Sequence, residues 1–146
     1  MSVSGCCFIR DAFAGFTVFE SMASVLPFVD EFVVMDLSSR DGTDHYLEKI
    51  AAANPKVRLV RGGFPVVDAG AFATLANDLV GMCSDENVWY LQADEIWHEN
   101  LLRLVEQRFE RDEHDLSFWR IQYRENFQLP KWYPHIVHRV GHKDNF

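Results

Sequence analysis

Charged and polar residues follow each of four short apolar runs in the first two-thirds of the chain. The run that ends in LQADE places Gln92, Asp94 and Glu95 directly after its apolar residues. Asp94 and Glu95 carry the oxygen ligands that hard divalent cations prefer. Arg10 and Arg61 follow two other runs and are suited to pair with phosphate oxygens. These residue types together favour a site for a metal ion and a diphosphate.

A further acid, Asp36, follows the run FVVM and leads into a polar loop at residues 38–41. Its carboxylate is suited to accept hydrogen bonds from the N–H groups of a base or from ribose hydroxyls. A second interpretation is structural: Asp36 and Asp41 cap a turn, and Arg61 pairs with a neighbouring acid at the surface. In that interpretation Glu95 points away and helps the next helix to start. The residue types alone leave both interpretations open.

The hydrophobic pattern predicts the elements that position these residues. Apolar runs of strand length alternate with segments of helical spacing, which predicts an α/β fold with a mainly parallel sheet and helices on both faces. After Asp115, two alternating segments predict a short C-terminal β extension. The predicted strands are 3–9, 32–35, 57–60, 88–91, 116–126 and 132–140, and the predicted helices are 12–26, 43–54, 72–80 and 101–109.

The polar residues all follow the carboxyl ends of the four predicted parallel strands. In an open parallel sheet the loops diverge at this edge, and ligands bind there. Four polar strand ends together indicate a binding site more strongly than any one of them. We therefore expect Arg10, Asp36, Arg61 and Gln92 to lie at one edge of the sheet.

Composition excludes several classes of protein. The 146 residues are enough for one domain with a hydrophobic core, and the net charge of −8 argues against a nucleic-acid binder. The three cysteines form no CxxC motif, so we expect buried free thiols rather than a zinc site or disulfides. No apolar run approaches the length of a membrane span, and no basic segment precedes an apolar stretch at the N-terminus. The expected location is the cytoplasm.

The order of the motifs resembles that of the family 2 glycosyltransferases with a GT-A fold. The segments FIRDA, SVLPFVDEFVVMD, DLSSRDGT, KVRLV, LANDLV and LQADE follow one another over about residues 4–99 at the spacing of that family. The later segments WRIQYRENF and WYPHIVHRV resemble part of a subgroup. The resemblance implies a GT-A, Rossmann-like sheet and a hexosyltransferase-type enzyme. Such an enzyme moves a sugar from a nucleoside diphosphate sugar, here expected to be a UDP-sugar, to a saccharide or lipid-linked acceptor.

The resemblance also assigns roles by position. Ile9 and Arg10 match residues that line the nucleoside pocket, and Asp36 matches the acid that contacts the base. Asp94 matches the last Asp of the DxD motif, which holds a manganese or magnesium ion. Gln92 stands where the family has the first Asp of that motif, near the ribose and diphosphate. With Arg61 as a further nucleotide-binding residue, these positions form the expected donor site.

The expected division of the chain follows the resemblance. Residues 1–99 would form the nucleotide-sugar-binding half, and residues 100–146 a truncated acceptor-side region with the fourth helix and the last strands. His135 is the candidate catalytic base, because imidazole titrates near neutral pH. The alternative is that His135 and His138 are ordinary strand-edge residues. The aromatic segment 118–133 favours a homo-oligomer, because exposed patches of this kind often mark an interface.

Two other functions compete with the enzyme hypothesis. The amide at Gln92 and the short C-terminal region favour a catalytically inactive, nucleotide-binding interaction module derived from the same fold. An acid after a buried strand is also found in receiver-like signalling domains. That fold needs an early acidic pair and a lysine after its last strand, and neither is evident here.

Overall fold

A computed structural model describes residues 2–63, 70–109, 111, 116–122 and 131–142. For Phe109 and for the last two ranges, Gly141 excepted, it describes the backbone alone. The strands are β1 (Val3–Ile9), β2 (Glu31–Asp36), β3 (Val57–Arg61), β4 (Asn87–Tyr90), β5 (Leu116–Gln122) and β6 (Lys131–His142). The α-helices are α1 (Val18–Val25), α2 (Thr43–Ala53), α3 (Ala71–Gly81) and α4 (Glu99–Phe109).

The described strands form one six-stranded sheet in the order β3-β2-β1-β4-β6-β5. The first four of these are parallel, whereas β6 is antiparallel to both β4 and β5. The predicted mainly parallel α/β sheet with a C-terminal β extension is therefore confirmed. The crossover helices run back from the carboxyl edge of the sheet to its amino edge, so loops at the carboxyl edge are left to form a site.

Helices cover both faces of the sheet, as predicted. Cys6 and Cys7 are neighbours on β1 and therefore point to opposite faces. Cys7 packs with residues of α1, α2 and α4, whereas Cys6 packs against Leu79 and Val80 of α3. All three cysteines are buried, and none of them forms a disulfide.

The prediction of one helix over residues 12–26 is wrong in its first half. Ala12–Ala14 forms a 3-10 turn that ends at Gly15, whose φ of 114° lies in the left-handed region. A helix cannot continue through that conformation, and α1 begins only after it. Phe13 and Phe16, whose spacing fits a helix, are each 55% exposed.

The helices of the described ranges are all too short or too polar to cross a membrane.

Candidate functional site

The carboxyl ends of the four parallel strands lie side by side. Ile9 is opposite Asp36 in the β1–β2 register, and Asp36 is opposite Arg61 in the β2–β3 register. On the other side of β1, the N–H of Leu91 donates to the carbonyl of Cys6 at 2.8 Å and carries the β1–β4 pairing beyond β4. Gln92 follows immediately. The structure thus brings the predicted nucleotide-binding residues to one edge.

Asp36 lies at the centre of this edge and is only 2% exposed. Its Oδ2 accepts a hydrogen bond from Nη1 of Arg61 at 3.0 Å, and its Oδ1 accepts one from the N–H of Ser39 at 3.3 Å. The other terminal nitrogen of Arg61 donates to Glu48 on α2. The structural interpretation of the sequence predicted that Asp36 caps a turn and that Arg61 pairs with a neighbouring acid. Both contacts are present, and they lie at the same edge as the candidate site.

The loops after β1 and β2 are joined by hydrogen bonds from backbone N–H groups to side-chain oxygens. These contacts fix the height and spacing of the two loops beside the buried carboxylate of Asp36, so the rim of the site is preorganised. The pairs are Asp11 N with Ser39 Oγ at 2.9 Å, Ala12 N with Thr43 Oγ1 at 2.8 Å, Phe13 N with Asp41 Oδ2 at 2.8 Å, and Arg40 N with Asp11 Oδ1 at 2.7 Å.

Asp41 takes part in this rim with both carboxylate oxygens. Oδ1 accepts a hydrogen bond from the N–H of Thr43 at 3.0 Å, while Oδ2 accepts the one from Phe13. Desolvation acts to raise the pKa of Asp41, but the hydrogen bonds from Thr43 and Phe13 outweigh it and lower the pKa. The sequence predicted only a turn here and missed the contacts between the two loops. The density of Asp, Ser and Thr in DLSSRDGT was the available signal.

Two residues of the rim have backbone angles that are unusual for side chains with a Cβ. Asp11 has φ of 49° and Ser38 has φ of 58°, both in the left-handed region. Asp tolerates this region better than most residues, whereas Ser gains little there. Such conformations persist where the surroundings hold them, and they concentrate at functional sites.

The LQADE segment forms a closed turn. The N–H of Glu95 donates to the carbonyl of Gln92 at 3.1 Å, and the N–H of Gln92 donates to Oε2 of Glu95 at 3.3 Å. The carboxylate of Glu95 therefore faces its own loop. The suggestion that it helps the next helix to start is wrong, because the acid in the first turn of α4 is Glu99.

Asp94 is exposed at the tip of this turn, next to the exposed Gln92. Within the described ranges, no three His, Cys, Asp or Glu side chains come together as a metal site. One exposed carboxylate nevertheless fits a hard cation that takes its other ligands from a diphosphate and from water. The position suits a metal that binds together with its substrate.

His135 lies on β6. Only the backbone of this strand is described, so the side chain of His135 is outside the described part of the chain. The register pairs Asn87 with His142 and Trp89 with Val140, so the first half of β6 runs past the carboxyl end of β4. The backbone therefore carries His135 toward the edge that holds Asp94. The side chains of residues 118–133, on which the oligomer prediction depends, are also outside the described part.

Solved structures with a similar fold include two of S. aureus TarS 1-349, one of them in complex with UDP. Both are 19% identical to this chain, with TM-scores of 0.59 and 0.58, and cover 90% of it. Mannosyltransferase PcManGT from Pyrobaculum calidifontis, in complex with GDP-Man and Mn2+, is 20% identical, with a TM-score of 0.56 over 84% of this chain. This chain spans only 39%, 38% and 35% of the length of those proteins.

The solved structure of a synthase also has a similar fold. This protein, 4-diphosphocytidyl-2C-methyl-D-erythritol synthase from Anaerococcus prevotii, is 12% identical to this chain, with a TM-score of 0.57. The aligned region covers 99% of this chain and 72% of the synthase. At these identities the likeness to solved structures shows the fold alone. A search of curated proteins finds no match.

The sequence itself matches a family. The match to Glycosyl transferase family 2 runs over residues 17–145, which is most of the chain. It includes the loop after β2, the LQADE turn and β6. The chain therefore belongs to Glycosyl transferase family 2 and has the GT-A fold.

Proposed function

We propose that this domain binds a UDP-sugar together with Mn2+ or Mg2+ and transfers the sugar to an acceptor hydroxyl. The observation that carries the proposal is the convergence of Ile9, Asp36, Arg61 and Asp94 at one edge of the sheet, in a chain of this family. The solved relatives are consistent with such a ligand, since TarS was solved with UDP and PcManGT with GDP-Man and Mn2+.

The chemistry of each residue suits its proposed role in holding the nucleotide. Ile9 is 3% exposed and offers an apolar wall to a base. The carboxylate of Asp36 accepts hydrogen bonds from base N–H groups. The half-exposed guanidiniums of Arg10 and Arg61 can reach phosphate oxygens, and the amide of Gln92 can donate to and accept from the hydroxyls of a ribose or a sugar.

Asp94 is the residue proposed to hold the cation. A bound Mn2+ or Mg2+ would neutralise negative charge on the leaving diphosphate. Because the cation would share its coordination sphere with the diphosphate, we expect nucleotide and metal to bind together rather than separately.

The acceptor side is proposed to involve residues 100–146, with residues 1–99 as the donor half. A base is needed to take the proton of the acceptor hydroxyl, and His135 is the candidate for that role. A hexosyl group and a saccharide or lipid-linked acceptor are the proposed substrates, and the active form is proposed to be a homo-oligomer.

Calorimetric titration of UDP with and without Mn2+ tests the donor site. We expect binding that is strengthened by Mn2+ in the wild type and in Asp78→Asn, an exposed substitution in the second half of α3, which leads into the amino edge of the sheet. Asp94→Asn should lose the strengthening by Mn2+. No binding of UDP in either condition would refute the proposal, and unchanged metal dependence in Asp94→Asn would refute the metal assignment.

A catalytically inactive nucleotide-binding module remains the second candidate, and Gln92 is the observation that favours it. Its exposed amide replaces an acid beside Asp94, so the turn offers one carboxylate less to a cation. Donor hydrolysis and transfer assays over a panel of sugar acceptors separate the two. Binding of UDP without turnover in wild type and in Gln92→Asp would support the inactive module.

A further inference from the structure

Arg61 bridges two carboxylates that differ greatly in their exposure. Nη1 lies 3.0 Å from Oδ2 of Asp36, whose side chain is 2% exposed, and Nη2 donates to Oε1 of Glu48, whose side chain is 54% exposed. The guanidinium itself is 46% exposed. The buried acid is the one proposed above to recognise the base, whereas Glu48 lies on the outer surface of α2.

The contact between Arg61 and Asp36 is made by one nitrogen, although Arg and a carboxylate commonly pair through two parallel hydrogen bonds. Here the second terminal nitrogen is held by Glu48. As a consequence, Oδ1 of Asp36 has only the N–H of Ser39, at 3.3 Å, as its described hydrogen-bond donor. A carboxylate oxygen accepts more than one hydrogen bond, so Oδ1 retains the capacity to accept an N–H from a base.

The backbone of Arg61 is held in the sheet, so only its side chain is able to change position. Arg61 is the last residue of β3 and lies directly opposite Asp36, and the next N–H, that of Gly62, donates to the carbonyl of Asp36 at 2.8 Å. The position of the guanidinium therefore depends on its two carboxylate partners. Because α2 is anchored in the core through Leu47, the backbone at the neighbouring Glu48 is held on the far side of the guanidinium.

We propose, on the basis of the nucleotide site proposed above, that Glu48 is a positioning residue for base recognition. By holding Nη2 of Arg61, it prevents the guanidinium from pairing with both oxygens of Asp36 and keeps Oδ1 open to the N–H of a base. Without Glu48, Arg61 closes on Asp36 and competes with the base. Glu48 thus acts through Arg61 and makes no contact with the nucleotide.

The test is calorimetric titration of UDP with Mn2+ into four proteins that differ at these positions. Glu48→Ala leaves Nη2 of Arg61 without its acceptor and should weaken UDP binding by about two- to fivefold, the size expected when a half-exposed ion pair is rearranged. Glu106→Ala, which removes the same side chain from an exposed position on α4, should bind as the wild type does. A urea unfolding curve of each variant shows that the loss is not a folding defect.

The decisive comparison repeats the substitution of Glu48 in a protein that also carries Arg61→Lys. Lysine keeps the charge but has no second terminal nitrogen with which to pair with both oxygens of Asp36. In that background Glu48→Ala should therefore have no further effect, and the two substitutions should be non-additive. An equal loss in both backgrounds would mean that Glu48 acts on the nucleotide by its charge, and it would overturn the proposal.

The remaining outcomes separate the inference from the proposed function. If the wild type binds UDP and Glu48→Ala binds it equally well, the positioning role is refuted and the donor site stands. If the wild type binds no UDP, the donor site and the positioning role are both refuted.

Discussion

The two edges of the parallel sheet are both polar, but they use their polar groups differently. At the amino edge, Glu31 accepts hydrogen bonds at both carboxylate oxygens, from the hydroxyl and N–H of Ser84 and from Nε of Arg58. The fully buried hydroxyl of Ser4 lies 2.9 Å from carboxylate oxygens of both Glu31 and Asp85. This edge is a closed network that joins β1, β2, β3 and the loop before β4.

The carboxyl edge is less enclosed. Asp94 is exposed, and Oδ1 of Asp36 carries a single long described contact. Its loops also hold Asp11 and Ser38, the two residues other than glycine with positive φ in the described part of the chain. Polar density alone therefore does not separate the candidate binding edge from the other edge. What distinguishes the carboxyl edge is a carboxylate oxygen with one described donor, next to loops that are held by hydrogen bonds to each other.

Removing the central acid of the amino edge should have the largest effect on stability. Glu31→Ala leaves the N–H of Ser84 and the guanidinium of Arg58 without their acceptor, so we expect the free energy of unfolding to fall by about 2 kcal/mol. Urea unfolding measures this, with Glu106→Ala as the control at an exposed position. A loss no larger than that of the control would show that the amino-edge network is not structural.

The opposite pattern is expected at the carboxyl edge. Asp94→Asn should weaken UDP binding in the presence of Mn2+ by about tenfold or more, because the proposed charged metal ligand is lost, and should change the free energy of unfolding by less than about 0.5 kcal/mol. Titration and urea unfolding of the same preparation check both. A stability loss similar to that of Glu31→Ala would mean that Asp94 also belongs to a structural network.

The pH dependence of stability should report on the amino edge. Desolvation acts to raise the pKa of Glu31, but hydrogen bonds from Ser84, Arg58 and Ser4 outweigh it and lower the pKa below its ordinary value of 4.5. A lowered folded-state pKa means that the unfolded chain takes up the proton first. The stabilisation by Glu31 is therefore present above about pH 4.5 and is lost as the pH falls through the folded-state pKa.

The matched variant for this prediction is Glu31→Gln. Its free energy of unfolding should lie below that of the wild type near neutral pH, and the difference should shrink as the pH is lowered from 5 toward 3, on the order of the range over which such groups titrate. A difference that stays constant over this range would show that the stabilisation does not depend on the ionisation of Glu31.

The smallest effect is expected at the rim of the site. Ser38→Gly removes the cost of a left-handed side-chain residue but also the hydrogen bond from Ser38 Oγ to the carbonyl of Gly62, so we expect a net gain of about 0.5 kcal/mol. Ser39→Gly should instead lower stability, because it removes the acceptor of the Asp11 N–H. Thermal unfolding distinguishes the two signs. The same sign in both variants would contradict the conformational explanation.

Much of the fold could be predicted because hydrophobic period reports directly on burial. The alternation of strand-length and helix-length segments predicted helices on both faces of the sheet, and the polar strand ends located the edge that carries Asp36, Arg61 and Gln92. The start of α1 could not be predicted, since the phenylalanines at 13 and 16 fit helical spacing as well as an exposed turn. The left-handed backbone at Gly15 decided between them.

The sequence by itself determined the family, the strand order along the chain and the types of residue at the site, because these follow from local pattern and motif order. Only the tertiary structure decided which acids are already engaged. Glu95 turned back onto Gln92, Glu31 was enclosed by donors from three segments, and Arg61 was shared between Asp36 and Glu48. Hydrogen bonds between residues distant in sequence depend on how loops from different strands come together, and no local pattern contains that information.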